Sequence, residues 1–164
     1  MELTPDAVAD EHRWVRERAD VVVPLVNAVR AELGERFATD VRPITREQYR
    51  AAVDEAFADG DLAVNAAALV GLLRELDVEG DYPGFVVDEL LGRELAAMIA
   101  GNQPLRLLAE ATFHYADVMH HLDDDAAGVD DLDAALAAGI QTRLPGWGWT
   151  EGESPFAVRG PDSD

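Results

Sequence analysis

Apolar residues recur in the first part of the chain at the spacing of an amphipathic helix. One set of residues repeats every seven positions, and each of its members is followed four positions later by a member of a second set. The first set is Val8, Val15, Val22 and Val29, and the second is His12, Ala19, Val26 and Leu33. Together the two sets form one stripe on a helix. With Thr4 as an N-cap and Pro5 in the first turn, the pattern predicts a helix that ends at Gly34. Pro24 is expected to kink or split this helix. A short strand at 21–23 is the alternative, but no partner strand is visible in the sequence.

Caps and helix breakers mark the remaining helices. Thr45 and Gln48 form a capping box, which predicts a second helix that runs to about Gly60. Asp61 is expected to cap a third helix. The positions of this helix predicted to face the core are Leu62, Leu69, Leu72, Leu73 and Leu76. Further helices are predicted at 85–100, 104–122 and 130–138. The first of these three is apolar nearly all round, which indicates a central place in the bundle.

These elements predict an all-α protein, with a single-domain bundle of five to six helices over residues 1–140. Residues 141–164 form a tail that is rich in glycine and proline, which predicts irregular structure. The tail contains three large aromatic side chains, Trp147, Trp149 and Phe156. Because side chains of this size need to be buried, we expect the tail either to pack on the bundle or to dock on a partner protein.

The charge balance indicates the environment of the protein. All 13 basic residues are arginine and there are 33 acidic residues, which gives a net charge of −20. Such a charge destabilises a compact chain in ordinary buffer, whereas in molar salt the Debye length is about 3 Å and the repulsion is screened. The composition therefore predicts the high-salt cytoplasm of a salt-in halophile. With no cysteine and no apolar run of about 18 residues, neither disulfides nor a signal peptide nor a membrane span is expected.

The arginines are concentrated near the N-terminus. Residues 1–50 hold eight arginines and ten acidic residues, whereas residues 51–164 hold five arginines and 23 acidic residues. A nearly neutral region on such an acidic chain is a candidate contact surface, because repulsion of a partner is weakest there. The arginines expected to bind the partner are Arg42, Arg46 and Arg50, spaced by four, with Arg13 and Arg16 on the first helix. The alternative is ordinary pairing of these arginines with nearby carboxylates.

A second candidate site lies on the predicted helix 104–122. Spacings of four, three and four residues place four metal-ligand side chains on one stripe: Glu110, His114, Asp117 and His121. Such side chains bind zinc, iron or manganese, so the alternative to an interaction protein is a metal-binding bundle, such as a metal-dependent hydrolase.

One observation weakens the metal hypothesis. The same helix carries an apolar stripe that is expected to face the core, which would turn Glu110 and Asp117 toward solvent: Leu105, Leu108, Thr112, Tyr115, Met119 and Leu122. His12 could supply a distant ligand from the first helix. A partly buried histidine that donates to a carboxylate is the simpler interpretation of His12.

The sequence therefore favours an interaction or assembly module without enzymatic activity or cofactor, whose partner is another protein or a second copy. No phosphate-binding glycine loop, nucleophile elbow or dinucleotide motif is present. A transcription regulator is a weaker alternative, in which the second and third helices form a helix-turn-helix. The recognition helix 62–76 would offer only Asn65 and Arg74 to base edges, so nucleic acid is not the expected partner.

Overall fold

The fold is known from a computed structural model that describes residues 2–36, 38–75, 90–102, 105–120 and 129–144. Within these ranges the chain is all-α, as predicted, with seven helices and no strand. The helices are α1 Pro5–Glu17, α2 Ala19–Arg36, α3 Arg46–Ala58, α4 Gly60–Glu75, α5 Arg93–Ala100, α6 Leu105–His120 and α7 Val129–Gln141. The aromatic tail beyond residue 144 lies outside the described residues, so its predicted packing stays a prediction.

The first predicted helix is two helices, and the break lies at Arg18 rather than at Pro24. Thr4 caps α1 by accepting a hydrogen bond from the amide of Ala7, as expected. The chain then leaves the helical conformation at Arg18, where ψ is 2°. Pro24 lies inside α2 on its exposed side, where water can satisfy the carbonyl that loses its amide partner. The strand considered for 21–23 is part of the same helix.

Gly34 does not end α2, which continues to Arg36. Its role is to let the chain fold back closely after the helix. The amide of Thr39 donates to the carbonyl of Gly34 at 2.9 Å. A Cβ atom on Gly34 would lie only 2.8 Å from the carbonyl oxygen of Thr39. A glycine is therefore required here by close backbone approach and not by helix termination.

The predicted capping box of α3 is confirmed. The side chain of Thr45 accepts from the amide of Gln48 at 3.1 Å, and the Gln48 side chain accepts from the amide of Thr45 at 2.9 Å. For α4, Asp59 rather than Asp61 accepts the capping bond, from the amide of Leu62. This helix buries mainly small residues, whereas Leu72, which was predicted to face the core, is exposed.

α7 lies at the centre of the bundle, packed against α5, α6 and α2. Every side chain from 132 to 142 is buried, because alanines dominate the helix and let its neighbours approach from all sides. The closest approach is at Gly139, where a Cβ atom would lie 2.9 Å from Cβ of Ile99 on α5. α5 is also buried on most of its surface, in agreement with the central place predicted for it.

Two arginines hold the ends of the central helices. The guanidinium of Arg30, 1% exposed, donates to the carbonyls of Arg42, Gln141 and Leu144 at 3.0, 3.4 and 3.1 Å. Arg143 donates to the carbonyl of Ile99 at 2.8 Å. Carbonyls at a helix C-terminus lack amide partners and carry partial negative charge, so a cation stabilises both α5 and α7 at these ends.

No described helix alone is long and apolar enough to cross a membrane. Only α3 and α4 taken together meet such a test of length and composition, and this pair is bent by 111°.

Candidate interaction surface

Three of the N-terminal arginines predicted to bind a partner form ion pairs within the chain. Arg13 pairs with Asp10 at 3.2 Å and Arg46 pairs with Asp20 at 2.8 Å, all four side chains being well exposed. Arg16 donates to Asp54 of α3. Only the pair of Arg13 is local, as the alternative interpretation expected, whereas Arg16 and Arg46 pair with carboxylates of other helices. The role of the three arginines in binding a partner stays a prediction.

The other predicted contact residues are less closely defined. Arg42 is exposed just before α3, and its backbone carbonyl accepts from Arg30. Arg50 is half-buried on α3 and forms no ion pair with another described residue. Arg42 lies in the loop before α3, whereas Arg50 lies on one side of α3. The spacing of four between Arg42, Arg46 and Arg50 therefore does not produce one continuous basic stripe. Trp147, Trp149 and Phe156 lie outside the described part of the chain.

His12 belongs to a polar cluster between α1 and α3. Its Nε2 lies 2.7 Å from Oδ1 of Asp54, and its ring stacks on Phe57 with the centroids 4.7 Å apart. Partial burial raises the pKa of Asp54, but hydrogen bonds and positive charge from Arg16 and His12 outweigh this effect and hold the pKa below its ordinary value. This arrangement matches the simpler interpretation of His12, a partly buried histidine beside a carboxylate.

Trp14 forms a second polar contact between helices that the sequence analysis missed. Two guanidinium groups lie over its ring, with Cζ of Arg74 4.6 Å and Cζ of Arg18 5.4 Å from the ring centroid. Arg74 also donates to Glu11 at 2.8 Å. Arg74 was considered for reading a base edge, but this contact joins α4 to α1 instead.

Arg18 continues this network into the core. Its Nε and one terminal nitrogen donate to the two carboxylate oxygens of Asp133 on α7, at 2.7 and 2.8 Å. The side chain of Asp133 is completely buried, whereas that of Arg18 is 30% exposed. Nearby, the buried Tyr49 hydroxyl donates to the carbonyl of Val15 at 2.6 Å. Burial, and then the charge of Asp133, raise the pKa of Tyr49, so this phenol stays neutral.

The predicted metal stripe of α6 does not have the expected orientation. Asp117, predicted to point to solvent, is 4% exposed, while Tyr115, predicted to face the core, is among the exposed residues. Glu110 is half-buried and His114 is exposed. The buried side of α6 is formed by three small residues and one large aromatic residue: Ala109, Thr112, Ala116 and Phe113.

The four proposed ligands therefore do not share one environment, and His121 lies outside the described residues. Within the described part of the chain, no three His, Asp or Glu side chains are grouped so that they could hold a metal ion. His12 is engaged by Asp54 on α3. The metal hypothesis thus stays a prediction that depends on His121.

The exposed side of α6 carries a mainly apolar strip that we call the outer face of α6, formed by Leu107, Ala111, His114 and Val118. Leu107 is 62% exposed and Val118 is 52% exposed, and both Ala111 and His114 are exposed. Tyr115 flanks this face, and its ring lies 5.6 Å from the guanidinium of Arg36. The sequence contained a signal for this face, since Leu107 and Val118 both fall outside the apolar stripe predicted to be buried.

The outer face of α6 also lacks acidic side chains. Among the described side chains of α6, the exposed ones include no carboxylate, since Glu110 is half-buried and Asp117 is buried. Other helices present acids on their exposed sides, such as Asp6 on α1 and Glu47 on α3. On a chain with 33 acidic residues, an apolar helix face without a carboxylate is a clear local departure from the rest of the surface.

A family model for a domain of unknown function, DUF7984, matches residues 1–160. No curated protein and no solved structure matches the chain. Because the match spans nearly all of the 164 residues, the chain belongs to the DUF7984 family.

Proposed function

We propose that this protein is a protein-interaction or assembly module without enzymatic activity, which works in the high-salt cytoplasm of a halophile. The observation that carries the proposal is the outer face of α6, where Leu107 and Val118 are more than half exposed. Complete burial of an exposed leucine or valine side chain contributes about 1.5–3 kcal/mol, and contact with another surface would gain part of that free energy at each of these two residues.

The charge of the protein supports the same surface. A net charge of −20 repels most acidic neighbours, and halophilic cytoplasm is expected to be crowded with acidic proteins. A partner can approach the outer face of α6 without bringing carboxylates together at the contact. The N-terminal arginines give less support than this face, because Arg13, Arg16 and Arg46 already have carboxylate partners in the chain.

Photocrosslinking tests the proposal in cells. Amine-reactive reagents have no lysine to attack in this chain, so a photoreactive phenylalanine analogue is placed at Val118 and, as the control, at the exposed Asn65 of α4. We expect irradiation to join position 118 to one defined protein, identified by mass spectrometry, several times more efficiently than position 65. Equal or absent crosslinking at the two positions would contradict the proposal.

A further inference from the structure

We infer that the partner at the outer face of α6 is a second copy of this chain, bound through the same face as an antiparallel helix pair. The inference rests on the proposed function and adds the identity of the partner. Spacings of four, three and four separate Leu107, Ala111, His114 and Val118. This is the repeat of the contact positions in a two-helix coiled coil, and it continues over about 16 Å of helix at 1.5 Å per residue.

The sizes of the four side chains select the antiparallel arrangement. In an antiparallel pair Leu107 faces Val118 of the partner subunit, and Ala111 faces His114 of the partner subunit. Each small side chain then lies opposite a larger one, as close packing requires. A parallel pair would instead place alanine against alanine, which leaves a void, and imidazole against imidazole. The antiparallel arrangement also sets the two helix dipoles in the favourable direction.

Charge explains why a copy of the same chain fits this face. A partner that bound an acidic protein through charge would carry basic side chains and would be met by carboxylates, but the exposed residues of α6 include none. A second copy offers a face that is equally free of carboxylates, and a twofold axis lets one face serve both subunits. Repulsion between the remaining surfaces is screened in molar salt. The dimer is therefore expected to become stronger as the KCl concentration rises.

The size of the face sets the strength of the dimer. Four side chains and the flanking Tyr115 cover less than the roughly 800 Å² per partner of a standard stable interface. We therefore expect a reversible dimer, which dissociates on dilution through the micromolar range, and not a permanent one.

Light scattering across a concentration series tests the inference on the purified full-length chain in about 2 M KCl, where repulsion is screened. The average mass is expected to rise with concentration from the 17.8 kDa of one chain toward twice that value. Val118→Asp brings two new carboxylates to the interface and is expected to raise the midpoint concentration at least about tenfold, which corresponds to 1.4 kcal/mol. The matched control Asn65→Asp adds the same charge on α4 and is expected to leave the midpoint unchanged.

Disulfide trapping tests the orientation independently. The natural chain has no cysteine, so Leu107→Cys and Val118→Cys each contribute a single thiol. On oxidation, a mixture of the two variants is expected to give a covalent dimer that contains both, while either variant alone gives little. A covalent dimer from Leu107→Cys alone, formed as readily as from the mixture, would show a parallel pair and contradict the inference.

The outcomes separate this inference from the proposed function. A purified chain that stays monomeric at every concentration excludes the second copy as partner. If position 118 then crosslinks to a different protein in cells, the interaction function stands and only the identity of the partner is wrong. If the purified chain is monomeric and position 118 crosslinks to nothing, both proposals fail. A dimer that Val118→Asp and Asn65→Asp affect equally also contradicts the inference.

Discussion

The ion pair between Arg18 and Asp133 is expected to contribute more to stability than any exposed pair in this chain. Arg18→Gln removes two short hydrogen bonds from a carboxylate whose side chain is completely buried. Breaking a buried pair from one side costs about 3–5 kcal/mol, because the remaining charge has lost its compensation. Since 30% of the Arg18 side chain is exposed, water reaches part of the site, and we expect the lower end of this range, about 3 kcal/mol.

Arg13→Gln is the matched control for this prediction. It removes an arginine of the same α1 region, but the pair with Asp10 is 64% and 65% exposed, and such pairs contribute about 0–1 kcal/mol, less when salt screens them. Urea denaturation in about 2 M KCl, followed by circular dichroism, measures both variants under the screened condition. With a denaturant slope of about 2 kcal/mol/M, Arg18→Gln is expected to lower the urea midpoint by about 1.5 M and the control by less than about 0.5 M.

Equal shifts of the urea midpoint for Arg18→Gln and Arg13→Gln would contradict this prediction. They would mean that Asp133 does not depend on Arg18 for compensation, and that the junction of α1 and α2 is not held to α7 by this pair. The same conclusion would follow if Arg18→Gln lowered the urea midpoint at low KCl but not at high KCl. Salt screens a buried ion pair far less than an exposed one, so the effect of a buried pair should remain at high KCl.

Three further predictions concern the packing and the titration of the bundle. Gly139→Ala places a methyl group 2.9 Å from Cβ of Ile99, and we expect urea denaturation to show a loss of about 1–3 kcal/mol. Tyr49→Phe removes the hydrogen bond to Val15 and is expected to cost about 1 kcal/mol in the same assay. The lowered pKa of Asp54 means that its ionisation stabilises the fold above about pH 4, the ordinary carboxylate value, and that this contribution is lost as the pH falls through the lowered pKa. The unfolding free energy of Asp54→Asn should therefore decline less on acidification than that of the natural chain; an unchanged decline would contradict this.

The helix beginnings that depend on local sequence could be predicted. Thr4 and Thr45 cap their helices as expected, because a cap involves side chains and amides only two or three residues apart. The break at Arg18 could not be predicted in this way. The side chain of Arg18 is hydrogen-bonded to Asp133, which lies 115 residues further along the chain. No local sequence pattern predicts an ion pair between residues so far apart.

The candidate surfaces show the same limit. The sequence of α6 predicts a buried stripe of mainly large apolar residues, with Tyr115 facing the core and Asp117 facing solvent. In the folded chain α6 packs against the alanine-rich α7 and buries its own small residues Ala109 and Ala116, while Tyr115 is exposed and Asp117 is buried. Since the orientation of a helix depends on the shape of its neighbours, the hydrophobic pattern of α6 alone could not place Tyr115 and Asp117 correctly, although it did leave Leu107 and Val118 outside the buried stripe.

The arginines of the N-terminal region were also interpreted from the sequence. The excess of arginine there was expected to mark either a contact surface or pairing with nearby carboxylates, and the structure shows one local pair and two pairs between helices. Asp10 is a local partner of Arg13, whereas Asp54, the partner of Arg16, comes from another helix 38 residues away. Local pairing could thus be anticipated from spacing, and the contact between α1 and α3 could not.

Thiol labelling at α6 tests the central claim, that the outer face of α6 is a contact surface, most directly. Because the natural chain has no cysteine, the variants Val118→Cys and Asn65→Cys each carry a single thiol. Each variant is labelled with a charged thiol reagent in an undiluted cell extract that contains about 2 M KCl. The account predicts that the thiol of Val118→Cys reacts much more slowly than that of Asn65→Cys, and that dilution of the extract removes the difference. Equally fast labelling at both positions in undiluted extract would contradict the account.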